Sequence, residues 1–63
     1  MPVITVAMGP VSEVQKKKLI QTLTQEAAEI TQKAPELFTV FIHEYPLENI
    51  GQGGKSIKEI RGL

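Results

Sequence analysis

The chain has 63 residues, with seven basic and seven acidic side chains, one histidine and no cysteine. That balance lacks the basic footprint of a nucleic-acid binder, and no apolar run approaches the roughly 20 residues needed to span a bilayer. Disulfides are excluded, and one histidine without any aspartate is poor material for a metal cage, so no metal is expected.

The length fits one domain spanning residues 1–63. A chain this short buries only about 60% of the surface it exposes when unfolded, so small folds draw stability from disulfides, metals or partner subunits. With the first two absent, a homo-oligomer is the expectation. The first residues lack the basic and hydrophobic regions of a signal peptide, and a soluble, cytoplasmic protein is expected.

Val3 to Met8 is short and rich in β-branched residues, which predicts a strand. Gly9-Pro10 ends it. Ser12 followed by Gln15 has the form of a capping box, which places a helix start near Glu13. Ile20, Leu23, Ala27 and Ile30 recur at helical spacing and predict one apolar face. Lys33-Ala34-Pro35 stops the helix, because the residue before a proline is pushed out of the α region.

A second strand is predicted over Phe38 to His43, with Phe38, Val40 and Ile42 on one face and Thr39, Phe41 and His43 on the other. ENIGQGGKS then suits a turn or small hairpin. Ser56 to Leu63 is too short to stand alone and should pack on a neighbour. Strand, helix, strand with a long connection is a β-α-β unit, an α/β (α+β) fold whose two strands run parallel. One sheet face is covered by the helix. The other carries Phe41 and needs partner surface, because a two-stranded sheet is not stable by itself.

Most motif-like stretches have plain structural readings. GQGGKS ends like a phosphate loop, but that spacing requires glycine where Asn49 stands, and the dinucleotide fingerprint would need glycine at Ser56. Lys16, Lys17 and Lys18 fan out by roughly 100° each around a helix and form no compact patch. His43-Glu44 is an acid–base candidate without a nucleophile in view, and Glu44, Tyr45 and Glu48 read as turn residues between breaks.

Pro2 is chemically distinct. Its predecessor Met1 is expected to be removed, leaving a secondary amine at the terminus. A primary α-amino group has a reference pKa of about 7.7–8.0. The pyrrolidine nitrogen is intrinsically more basic, and apolar burial lowers it toward neutrality. A base poised near neutral pH is what proton abstraction beside a carbonyl requires.

PVITV at the start, the approach Gly9 to Lys16 into a long helix, the β-α-β layout and ENIGQGGK near the end together resemble the 4-oxalocrotonate tautomerase family. The resemblance covers the whole chain, and its most specific feature is Pro2 combined with the turn Ile50 to Gly54. It implies a β-α-β subunit with a small C-terminal hairpin, assembled as a hexamer with sites where subunits meet. It also implies Pro2 as catalytic general base in a cofactor-independent isomerase. The substrate would be a small unsaturated oxo or hydroxy acid such as 2-hydroxymuconate.

The chain departs from the family's best-known pattern at three positions. An arginine is missing from the loop Gly9-Pro10-Val11, Thr39 stands in place of a second arginine, and Ile50 replaces a phenylalanine. A dicarboxylate favours the bidentate fork of arginine over the point charge of lysine. Lys16, Lys33 and Arg61 of another subunit are candidate substitutes, and sequence does not choose among them. Two rival readings follow from the lost arginines: a hydratase or dehalogenase using protonated Pro2 as an acid, and a non-enzymatic oligomeric binding module.

Overall fold

A computed structural model describes residues 2–63. Met1, whose removal is expected above, lies outside the described residues. The order is β1 (Val3–Met8), α1 (Glu13–Thr31), a 3-10 turn at Pro35–Leu37, β2 (Thr39–Glu44), a 3-10 turn at Leu47–Asn49, β3 (Gly51–Gln52), β4 (Lys55–Ser56) and α2 (Ile57–Arg61). β1 and β2 pair in parallel, from Val3 opposite Thr39 to Met8 opposite Glu44. β3 and β4 form the antiparallel C-terminal hairpin. The β-α-β unit with a small hairpin is therefore present as expected.

Helix α1 starts where the capping box places it. The Gln15 N–H donates to Ser12 Oγ at 3.1 Å, and the Ser12 N–H donates to Gln15 Oε1 at 2.9 Å. These reciprocal bonds satisfy donors that the first helical turn would leave unpaired. The helix ends at Thr31, just before the predicted stop, because Gln32 turns into the left-handed region at φ 59°. Lys33 N–H then closes onto the Ala28 carbonyl at 3.1 Å, the wide bond of a Schellman-type cap.

The packed face of α1 is rotated from the predicted one. Leu19, Leu23 and Ala27 are partly covered and Ala28 is buried, whereas Ile20 is 43% exposed and Ile30 77% exposed. The helix carries two adjacent apolar stripes, and a sheet of only two strands covers one. β2 also sits one residue later than predicted. Phe38 N–H is taken by the Pro35 carbonyl at 3.1 Å, which closes the 3-10 turn, and the pairing continues to Tyr45 N–H on the Met8 carbonyl at 2.9 Å.

The tail corrects the expectation for Ser56 to Leu63. Ser56 caps α2 through a second capping box with Glu59, and Gly62 ends it at φ 70°. Ile57 N–H on the Ile50 carbonyl at 2.7 Å ties this short helix back to the preceding turn. Gly53 and Gly54 join β3 to β4 with φ of 62° and 86°, the pair of positive values that a two-residue hairpin loop requires. GQGGKS is thus a turn and a helix cap.

Ala28, at 7% exposure, is the one buried hydrophobic residue among the described residues. The radius of gyration is 14.9 Å, against about 11 Å for a self-contained chain of this length. The accessible surface of 4961 Å² exceeds the roughly 4000 Å² expected for a folded monomer of this mass. On the sheet face away from α1, Val3 and Phe41 are each 50% exposed. Apolar surface on this scale needs covering.

Candidate active site

The two ends of β1 each open onto a cleft. At its N-terminal end lies Pro2, half-buried, with its carbonyl accepting the Thr39 N–H at 3.0 Å. That bond extends the β1–β2 ladder by one residue, so the ring is held from the strand side. Lys33, Glu36 and Leu37 complete a cleft of about 440 Å³ with Pro2.

The chain supplies these neighbours on a stiff segment. The left-handed cap at Gln32 delivers Lys33, and Pro35 sets φ for the 3-10 turn that carries Glu36 and Leu37. Leu37 N–H on the Ala34 carbonyl, at 3.1 Å, closes that turn. Of the three candidate cations, Lys33 is the one brought beside Pro2 within the same chain.

At the other end of β1, Met8, Val11, Tyr45, Leu47, Ile50 and Arg61 help line a cleft of about 730 Å³. Its walls are mostly apolar, and Arg61 from α2 is the charged side chain among its lining residues. Ile50 is an apolar wall here. Six residues of β1 separate the two clefts, roughly 20 Å along an extended strand, so Pro2 does not reach the Arg61 of its own chain.

The loop Gly9-Pro10-Val11 is latched by Glu44. Val11 N–H donates to Glu44 Oε2 at 3.0 Å, and Lys16 Nζ bonds Glu44 Oε1 at 2.7 Å. The Lys16 hydrogen bond, followed by that from Val11, holds the Glu44 carboxyl below its ordinary value of 4.5. Lys16 is therefore engaged in holding the loop. The sequence contained a cue to this latch, since a carboxylate at the end of β2 faces the start of α1, but only the strand register brings the two together.

His43 and Glu44 do not form an acid–base pair. Successive strand residues point to opposite faces, so Glu44 lies on the α1 side while His43 lies on the open face, edge-on to Phe41 with ring centroids 6.4 Å apart. His43 lines neither of these clefts. Tyr45 lines the apolar cleft, and Glu48 lines neither.

The Tautomerase family profile, described as tautomerase enzyme, matches residues 2–60. This chain belongs to the tautomerase family. TomN, a 4-oxalocrotonate tautomerase homologue in the tomaymycin biosynthetic pathway, superposes with a TM-score of 0.93 at 30% identity, covering 98% of this chain and 97% of that one. DmpI from Archaeoglobus fulgidus gives 0.82 at 39% identity, with 89% and 97% covered. A heterohexamer 4-oxalocrotonate tautomerase from Chloroflexus aurantiacus gives 0.89 at 27% identity, with 97% and 100% covered. A comparison with curated protein sequences gave no match.

Membership in the tautomerase family supports a tautomerase-type function for the chain. It also agrees with the parallel β1–β2 pair and the C-terminal hairpin, which are the fold of the 4-oxalocrotonate tautomerase homologues. No helix among the described residues is long and apolar enough to cross a membrane.

Proposed function

We propose that this protein is a cofactor-independent isomerase that interconverts enol and keto forms of a 2-hydroxydienoate or 2-oxo acid, with Pro2 as general base. The observation that carries the reading is the seating of Pro2 in a cleft, anchored through its carbonyl to Thr39 and flanked by Lys33. Once Met1 is removed, the ring nitrogen is a secondary amine whose freedom is limited by the ring and by that anchor. It takes the proton from the 2-hydroxyl group of the enol. The electron pair moves through the conjugated system, and the same nitrogen returns the proton to a distant carbon. One O–H bond is lost and one C–H bond gained, with no net change in composition.

The nitrogen works as a base only if a useful fraction is uncharged near neutral pH. The Lys33 ammonium disfavours a second positive charge nearby, and apolar cover does the same through desolvation. The lone chain leaves Pro2 only half-covered, so further shelter comes from neighbouring protomers. A homo-oligomer fits the excess surface and the exposed Phe41 face, and a hexamer is the proposed form. The Chloroflexus aurantiacus relative is itself a heterohexamer.

The decisive experiment compares the wild-type protein, confirmed by intact mass to lack Met1, with Pro2→Ala. Tautomerisation of 2-hydroxymuconate or phenylenolpyruvate should be lost in the variant while the assembly persists. Equal activity in the two proteins rejects Pro2 as the base. No turnover of either acid by the wild type rejects the isomerase reading in favour of a binding module.

A further inference from the structure

We propose that Lys33 is the carboxylate anchor of the Pro2 cleft, and that this cleft selects enol acids carrying a single carboxylate. The inference rests on the reading of Pro2 as base and adds to it the class of substrate.

The cleft holds one cation, one anion and one apolar side chain around Pro2: Lys33, Glu36 and Leu37. The ion pair found among the described residues is Lys16 with Glu44, which leaves the Lys33 ammonium uncommitted. Arg61 opens onto the other cleft. Lys33 is also presented on a fixed backbone, between its own bond to the Ala28 carbonyl and the Pro35 turn. An ammonium is a compact point charge with three donors, able to hold one carboxylate without the planar match that an arginine fork needs.

The rest of the lining explains the selectivity. A carboxylate next to the enol bonds Lys33 and sets the 2-hydroxyl group toward Pro2. A second carboxylate at the far end of the substrate would lie in a cleft whose other charged group is Glu36, where like charges repel. An uncharged or aromatic far end instead meets Leu37, which is 53% exposed and available for contact. Lys33 and Glu36 also act on the Pro2 nitrogen in opposite senses: the ammonium lowers its pKa and the carboxylate raises it.

The test uses the assembled protein lacking Met1, with phenylenolpyruvate as the monocarboxylate and 2-hydroxymuconate as the dicarboxylate. Lys33→Gln should raise KM for phenylenolpyruvate roughly tenfold, the loss of one charge-assisted hydrogen bond, with little change in kcat above the pKa of Pro2. Lys33→Arg should restore most of the binding. Glu36→Gln should improve kcat/KM for 2-hydroxymuconate more than for phenylenolpyruvate. A nitrogen-15 titration of Pro2 gives a readout independent of turnover: its pKa should rise by roughly half a unit in Lys33→Gln and fall by a similar amount in Glu36→Gln.

An unchanged KM with an unmoved Pro2 titration in Lys33→Gln overturns the proposal. So does Arg61→Ala producing the effects expected of Lys33→Gln, or a wild-type preference for 2-hydroxymuconate. Opposed titration shifts in the two variants, alongside a wild type that turns over neither acid, would reject the base reading while retaining the electrostatic role of Lys33.

Discussion

Glu44 grips Lys16 at 2.7 Å through one carboxylate oxygen and the Val11 N–H at 3.0 Å through the other. One side chain at the end of β2 thereby ties down both the loop that follows β1 and the first turn of α1. Because both bonds favour the charged carboxylate, the folded pKa of Glu44 lies below its ordinary value. Its contribution to stability is complete above that ordinary value and is lost as pH falls through the lower folded value. Glu44→Gln should therefore melt below the wild type near neutral pH, with the gap closing as pH falls below the ordinary Glu value and through the lowered one. Thermal unfolding followed across that range at fixed protein concentration checks the sign. A gap that stays constant on acidification removes the latch.

Pro2→Ala should lower kcat/KM by roughly 10²–10⁴-fold, the usual contribution of a positioned proton-transfer group. The pH profile distinguishes a base from an acid. If the uncharged nitrogen is the working form, activity falls as pH drops through the Pro2 pKa. A profile that instead falls as pH rises would assign the charged nitrogen as an acid, which a hydratase or dehalogenase would require. Protein retaining Met1 should be inactive, because the nitrogen is then an amide.

Phe41 stands on the uncovered sheet face at 50% exposure, level with Thr5 across the parallel pair. If copies of the chain cover this face, Phe41→Glu should break the assembly into smaller species while leaving α1 largely intact. Sedimentation or native mass measurement should give several times the 7.0 kDa chain mass for the wild type and a lower multiple for the variant. A monomeric wild type would contradict the homo-oligomer.

Gln32 adopts φ 59° without being glycine. Left-handed backbone costs an ordinary residue roughly 1–2 kcal/mol. The Gln32 side-chain amide recovers part of this by donating to the Glu29 carbonyl at 3.1 Å. Gln32→Gly should stabilise the fold by somewhat less than 1 kcal/mol, measurable by urea unfolding at fixed protein concentration. Gln32→Val should destabilise it, since a β-branched residue fits this region worst. The same turn presents Lys33, so kinetic changes in Gln32→Val would report on how firmly that lysine is placed.

Local chemistry made much of the fold legible. β-branched density marked β1, the Ser12–Gln15 spacing marked the start of α1, Pro35 marked its end, and paired glycines marked the hairpin loop. Each of these depends on neighbours within a few positions, which is why spacing alone reveals them. The stripe on α1 was placed less well, because Leu19, Ile20, Leu23, Ala27, Ala28 and Ile30 allow two packing faces and periodicity does not rank them. The short α2 is marked locally by the Ser56–Glu59 capping box, but five residues are too few for periodicity to reveal, and it leans on the preceding turn through Ile57 N–H on the Ile50 carbonyl.

For the site, sequence singles out Pro2 by its chemistry and offers Lys16, Lys33 and Arg61 of another subunit as equal candidates for the missing positive charge. Within one chain, the tertiary structure sets the three apart. Strand register brings Glu44 to Lys16, the helix cap carries Lys33 to Pro2, and the length of β1 holds Arg61 at the opposite end. A side chain's identity is a local property that the sequence states outright. Its neighbours across 30 or 40 positions of chain are decided by pairing and packing, and those exist only once the strands and helix have come together.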